Sequence, residues 1–255
     1  MESEYSRVWK TYQERDNIRD MFIQSLPRIK DDLPGLSNIK SCVMIGCGYG
    51  RLELDFVSLY GCLENVKEIA AVEPDAKQLA KLKNRVAQLL PTMSANFYEE
   101  TAGTWKGVDK PFDAVLVFES VYFLFPSERA SLFKKLFDNV VANGGFVFMF
   151  QSEYVFSCPI TSLGRVVKRL GISYPSAEVA EVRNEMTSAG FRLCYELPIR
   201  CELNCEKLDD EFMSMFVYWS EGTVTLESVR EVAEEEFGGR KTDPYTMIFQ
   251  AFRKP

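Results

Sequence analysis

Three glycines at alternate positions, Gly46, Gly48 and Gly50, close the apolar run Val43-Met44-Ile45. A glutamate ends the next apolar run, in Ala71-Val72-Glu73-Pro74. Residues of these types describe a site for a nucleoside. Glycine permits a tight turn and a close approach of backbone to ligand, and a carboxylate past the following strand can accept a pair of ribose hydroxyls. The chain between Gly50 and Glu73 has room for one helix and one strand, so the expected unit is βαβ.

The detailed spacing separates two cofactor classes. In the dinucleotide fingerprint the third glycine follows the second by three residues; here Arg51 stands at that position and the glycine has moved to 50. The G-x-G-x-G pattern favours S-adenosylmethionine over NAD. A purely structural turn, with Glu73 as a solvated strand-end acid, is the alternative, and the agreement of glycines and acid argues against it.

Further along, Phe112-Asp113-Ala114-Val115-Leu116-Val117-Phe118-Glu119-Ser120 reads as a strand ending at the same crevice, where ligands of open α/β sheets bind. Phe118 is then placed to cover an adenine, or is a plain core phenylalanine. Glu119 is followed by Val121-Tyr122-Phe123-Leu124-Phe125. A carboxylate ringed by aromatics suits an ammonium, through pairing and cation–π attraction; a solvated loop acid is the other reading. Glu234-Glu235-Glu236 is read as a solvated helix face.

The elements that must position these residues follow from periodicity. Tyr5, Val8, Trp9, Tyr12, Ile18, Met21 and Phe22 recur at helical spacing, predicting one or two helices to about Ile29. Strands are expected at Ser41 to Ile45, Glu68 to Val72, Ala95 to Tyr98, Phe112 to Phe118 and Phe146 to Phe150, the last launched by Asn143-Gly144-Gly145. Helices are expected at Arg51 to Tyr60, from an Asp75 cap to Leu90, and at Ser127 to Val141. This alternation implies an α/β fold, a mostly parallel sheet with helices on both faces. Ser152 to Gly171, with Tyr154 and Phe156, is less regular. A helix at Ser176 to Ala189, a strand at Phe191 to Leu197, helices at Asp209 to Trp219 and Leu226 to Phe237, and a strand at Thr246 to Phe252 complete the reading.

With 255 residues and 46% hydrophobic content, one domain with an appended lid is expected. The net charge of −7 disfavours nucleic acid and anionic membrane as partners. No apolar stretch is long enough to span a bilayer and the first residues carry no apolar signal core, so the expected compartment is the cytoplasm. The seven cysteines have neither zinc-ribbon nor redox spacing and are read as reduced thiols. The chain has no histidine, which removes the commonest general base and metal ligand; no metal site is expected.

At these residues the chain resembles the class I S-adenosylmethionine-dependent methyltransferases over nearly its whole length, and within them it is most similar to the histamine N-methyltransferases. The more specific likenesses are Val72-Glu73-Pro74-Asp75-Ala76-Lys77-Gln78-Leu79-Ala80-Lys81, the Glu99-Glu100-Thr101 loop, the Tyr122-Phe123 pair, and Glu14 before Leu26-Pro27. The resemblance implies a Rossmann-like sheet with its last strand antiparallel, and a substrate lid from residues 1–30, 152–175 and 200–245. It implies cofactor contacts by Gly46, Glu73, Gln78 and Phe118, with Ala102 where the relatives have a serine, and Gly48, Gly50, Pro74 and Thr101 are expected to contact the cofactor beside them. It implies that Glu14 faces the substrate amine and that Tyr122, Phe123 and Tyr218 wall it; Tyr5, Trp9, Glu119, Tyr154 and Tyr245 are further expected substrate contacts, with Glu14 and Glu119 expected to recruit a cationic amine and one of them to help accept its proton. Glu119 stands where the relatives have a glutamine, and Tyr245 where they have an asparagine.

The resulting expectation is a monomeric N-methyltransferase of a small biogenic or amino-acid-derived amine. An O-methyltransferase of small molecules, or a silent cofactor-binding subunit, is the alternative. Enzymes that present Asn/Asp-Pro-Pro-Tyr after the fourth strand are disfavoured by Glu119-Ser120-Val121-Tyr122.

Overall fold

The computed structural model describes residues 4–58, 61–154, 158–173 and 177–255, with the backbone alone for residues 4–6. Phe156 and Ser176 lie outside the described residues. In chain order the elements are α1 (Glu4–Arg15), α2 (Ile18–Asp32), β1 (Ser41–Ile45), α3 (Glu53–Val57), β2 (Glu68–Val72), α4 (Ala76–Leu89), β3 (Ser94–Tyr98), β4 (Phe112–Phe118), α5 (Pro126–Lys135), β5 (Val141–Ser152), α6 (Ser162–Arg169), α7 (Val179–Ser188), β6 (Arg192–Asn204), α8 (Asp210–Trp219), α9 (Leu226–Phe237) and β7 (Thr242–Arg253).

The strands form a seven-stranded sheet in the order β3-β2-β1-β4-β5-β7-β6. β1 lies parallel to β2 and to β4, with Val43 opposite both Ala70 and Val115. Chain order therefore reverses between β1 and β4, and the crevice outside the carboxyl ends of strands at such a switch point is where α/β sheets bind ligands. β7 runs against β5: the Gly144 amide donates to Lys254 O, and the Glu153 amide to Thr246 O.

Backbone contacts divide the chain into two compact units. One comprises Phe22–Gln151, Val179–Ile199 and Ile248–Pro255. Its sheet buries an aromatic cluster in which Phe22, Phe56, Phe118, Phe150 and Phe249 lie 4.8 to 6.3 Å apart, centroid to centroid. Each such ring contributes about 1.5–3 kcal/mol of burial, so this cluster fixes Phe22 of α2 and Phe56 of α3 against β4, β5 and β7. The other unit comprises Met1–Met21, Ser152–Glu178 and Arg200–Met247. There α8 packs on α1 and α9, α9 packs on α6, and the Arg15 guanidinium holds both Asp209 carboxylate oxygens at 2.8 Å.

Several elements differ from the sequence expectation, among them β6, which runs on to Asn204, and β7, which starts at Thr242 and takes in Tyr245. The helix expected over 51–60 is a short α3, because the chain folds back on it: the Gly61 amide donates to Ser58 O, and a Cβ at Gly61 would lie 2.3 Å from Asp55 O. The helix expected to Val141 leaves α geometry at Lys135 and widens into a π turn over Leu136–Val140. β5 starts at Val141 and absorbs Asn143-Gly144-Gly145 as a bulge, since Phe112 pairs with Val141 but Ala114 pairs with Phe146. The irregular stretch contains α6, whose first amides, Ser162 and Leu163, donate to the Asp243 carboxylate at 3.0 Å. Among the described residues no helix is long and apolar enough to cross a membrane.

Candidate active site

β1 runs directly into the glycine turn, where Gly46, Gly48 and Gly50 adopt φ of 62°, 52° and 72°. At Gly46 the need is also steric, since a Cβ would sit 2.6 Å from that of Ser120. Ser120 closes the contact by donating its hydroxyl to Ile45 O at 2.9 Å. Gly48 is different: its missing side chain faces open space, with nothing within 4 Å. The turn is braced from α4, where Arg85 donates to Tyr49 O and Gly50 O at 2.9 and 3.0 Å and lies over the Tyr49 ring.

Glu73 follows β2 and is 6% exposed. Its Oε2 accepts from the Gly48 amide at 2.8 Å and its Oε1 from the Asp75 amide at 2.9 Å. Burial raises its pKa and these two amides pull it back down. A carboxylate oxygen accepts two bonds, so both oxygens keep capacity for a ribose diol. Asp75 caps α4 by accepting from Lys77 and Gln78 amides, which sets buried Gln78 in the first turn while Pro74 is exposed. Thr101 and Ala102 lie in the loop after β3. The Thr101 hydroxyl bonds that of Thr104, and Ala102 O accepts from Lys135.

At the end of β4 the Phe118 ring, 2% exposed, is a member of the aromatic core. Any contact it makes with a cofactor is therefore through its backbone. Glu119 has φ 50° and its amide donates to Phe150 O at 2.7 Å. This left-handed conformation is uncommon outside glycine and asparagine, and such strain concentrates at functional sites. Half-buried Tyr122 and Phe123 follow, ring centroids 4.8 Å apart. Their turn is held from below by buried Arg129, which donates to Leu124 O at 3.0 Å and pairs with Glu181 and Glu185 of α7 at 2.5 and 2.8 Å.

In the other unit, Glu14 is 62% exposed and pairs with Lys10 across one turn of α1. The inward face of α1 carries Val8 and Tyr12 instead. Trp9 meets Tyr12 edge-on at 5.6 Å, and Tyr12 meets Trp219 at 6.5 Å. The Tyr245 hydroxyl is buried, and burial with Tyr12 and Asp16 beside it pushes its pKa well up. Tyr218 is half-buried and Tyr154 exposed; the Tyr5 side chain lies outside the described residues.

Sequence reasoning missed Glu53, Ser120, Arg129 and Gln151. The sequence around Glu53, Arg51-Leu52-Glu53-Leu54-Asp55-Phe56, alternates charged and apolar residues and gives no local sign that this acid is buried. Gln151, near the end of β5, is fully buried with no hydrogen-bond partner at either amide atom.

A Rossmann-like sheet with a glycine turn after its first strand and a buried carboxylate after its second fits a nucleoside cofactor. Residues 43–145 match the family model described as a methyltransferase domain. The fold is similar to that of a protein of Bacillus halodurans C-125 with a proposed methyltransferase assignment (TM-score 0.65, 16% identity, 91% of this chain and 98% of that one). It is also similar to the YcgJ protein of Bacillus subtilis (0.60, 14%, 91% and 98%). A third likeness is to magnesium protoporphyrin IX methyltransferase of Synechocystis PCC 6803 with bound SAH (0.56, 11%, 94% and 85%). No curated protein matches the sequence. Over residues 43–145 the chain is therefore similar to methyltransferase domains, and the open cradle at Gly48 beside the Glu73 carboxylate fits S-adenosylmethionine.

Proposed function

We propose that the protein is a monomeric, cytoplasmic N-methyltransferase of a small biogenic or amino-acid-derived amine, histamine-like in size and charge. The observation that carries this reading is Glu119, an acid in strained backbone at the end of β4, followed at once by the Tyr122 and Phe123 rings. A carboxylate next to aromatic faces recruits a cation.

When bound, S-adenosylmethionine supplies a methyl already activated as a sulfonium. What remains for this chain is to hold the acceptor and exclude water. The glycine turn and Glu73 hold the nucleoside, Tyr122 and Phe123 form an apolar wall, and Glu119 attracts the ammonium. An amine must be neutral to attack, and Glu119 is the acid placed to receive the proton it gives up. Glu14, exposed and paired with Lys10, is given no part in that transfer.

The test is turnover of an amine panel by the wild type and by Glu119→Gln. The reading expects kcat/KM for the best amine to fall about a hundredfold, near 3 kcal/mol, with S-adenosylmethionine affinity nearly unchanged. Equal kcat/KM in the two proteins would remove the amine reading. Turnover of phenols or carboxylates alone would replace it with O-methylation, and cofactor binding without turnover would indicate a silent subunit.

A further inference from the structure

Gln151 stands one residue before the end of β5 and is 0% exposed, and among the described residues neither its amide nitrogen nor its oxygen has a hydrogen-bond partner. Burying an unpaired carboxamide is costly, and buried polar groups are ordinarily paired. Gln250 of β7 is equally buried, yet its Nε2 donates to Glu196 Oε2 at 2.7 Å, which leaves only the oxygen unpaired. Gln151 keeps both its donors and its acceptor unspent.

Alternation along the strands shows which way the carboxamide faces. The rings of Phe148, Phe150 and Phe249 lie with Phe56 of α3 and Phe22 of α2, so Gln151 and Gln250 face the other side of the sheet. On that side stands α7, whose Arg183 pairs with the same Glu196 that Gln250 reaches. Arg129 holds α5 to α7, and the turn that leads into α5 carries Tyr122 and Phe123. Gln151 is therefore at the carboxyl edge of the sheet, on the face of these two rings. Across the ladder Phe118 pairs with Phe150, and the Glu119 amide donates to Phe150 O, which puts Glu119 and Gln151 on adjacent strands about 4.8 Å apart. The nucleoside cradle is at the ends of β1 and β2, and β4 separates it from β5. The carboxamide belongs to the acceptor side.

We propose that the Gln151 carboxamide hydrogen-bonds a second polar group of the methyl acceptor, and that the acceptor is a small amine with an uncharged hydroxyl or carboxamide close to its nitrogen. This rests on the amine reading of Glu119. A hydroxyl gives and accepts at one atom and a carboxamide does so side by side, and either uses both unspent functions of Gln151. A carboxylate there could only accept, and it would stand beside Glu119 as a like charge. The strand spacing holds an ammonium on Glu119 and a polar group on Gln151 within about 5 Å, which fits groups about three bonds apart. The competing role is that of a carboxamide satisfied by one ordered water, which gives no preference among amines.

The experiment measures kcat/KM with S-adenosylmethionine for amines matched in size, 2-aminoethanol against propylamine and glycinamide against isobutylamine, in the wild type and in Gln151→Met. The wild type should prefer the polar member of at least one pair by about tenfold or more. Gln151→Met should lose about tenfold on that polar member, chiefly in KM, and change its apolar counterpart by less than about threefold, while binding S-adenosylmethionine in calorimetry as the wild type does. Equal use of both members by the wild type, an equal loss on both in the variant, or turnover of neither pair by a wild type that methylates other amines overturns the proposal and leaves the amine reading standing. Methylation of phenols or carboxylates alone, or of nothing, removes the amine reading and the proposal with it. The wild-type comparison decides even if the variant fails to fold.

Discussion

Replacing Glu53 by glutamine should stabilise the cofactor-free protein, and by an amount that grows with pH. The folded carboxyl titrates near 8, whereas the ordinary value for the side chain is 4.5. Between those values the folded state keeps a proton that the unfolded chain has lost. Stability then falls with rising pH, by up to about 1.4 kcal/mol per unit. The contribution is fully present below pH 4.5, shrinks through the interval and is gone above about 8. Integrated to pH 7, the wild type has lost about 3 kcal/mol at this one side chain. Glutamine keeps the shape and one oxygen acceptor for the backbone amides, and it does not titrate. Urea unfolding of both proteins without cofactor, at pH 5, 6, 7 and 8, reads the difference directly, since every other titrating group is common to the pair. The expected gap is small at pH 5 and near 3 kcal/mol in favour of the variant at pH 7. A gap that does not change with pH, or one that moves toward the wild type as pH rises, would refute the reasoning.

Four other substitutions separate the structural parts of the site. Gly46→Ala forces a Cβ to 2.6 Å from Ser120 at φ 62°, and urea unfolding should show a loss of about 2–3 kcal/mol. Gly48→Ala meets no protein atom within 4 Å; it should cost only about 1 kcal/mol of stability while calorimetry shows cofactor binding weakened about tenfold or more by a methyl in the cradle. Arg129→Met leaves Leu124 O and the two α7 glutamates without their shared donor; denaturant unfolding should register a loss of about 3 kcal/mol. Gln151→Met removes a buried carboxamide that has no hydrogen-bond partner, and thermal unfolding should rise by the equivalent of about 1–2 kcal/mol.

What could be read from the sequence depended on how local each cause is. β1, β2 and β4 are apolar runs bounded by turn residues, and their limits coincide with the expected ones. The bond from the Gly48 amide to Glu73 follows from the βαβ connection itself. Causes that lie far off in the chain were not legible. α6 is capped by Asp243 from β7, and α3 is cut short where Gly61 folds back onto it. That Glu53 is buried between acids is a consequence of β2 and β4 flanking β1, which no local pattern around residue 53 reveals. Glu14 illustrates the opposite limit. Two positions along a helix turn about 200°, so with Tyr12 facing inward Glu14 points outward, and likeness to relatives alone does not supply that geometry.

The most direct measurement incubates the wild type and Glu119→Gln with S-adenosylmethionine carrying an isotopically labelled methyl and a panel of small amines, phenols and carboxylates, and locates the label by mass spectrometry. The account predicts label on a basic nitrogen, formed by the wild type and about a hundredfold more slowly by the variant. Label found only on oxygen, or nitrogen labelling that proceeds equally in both proteins, would contradict it.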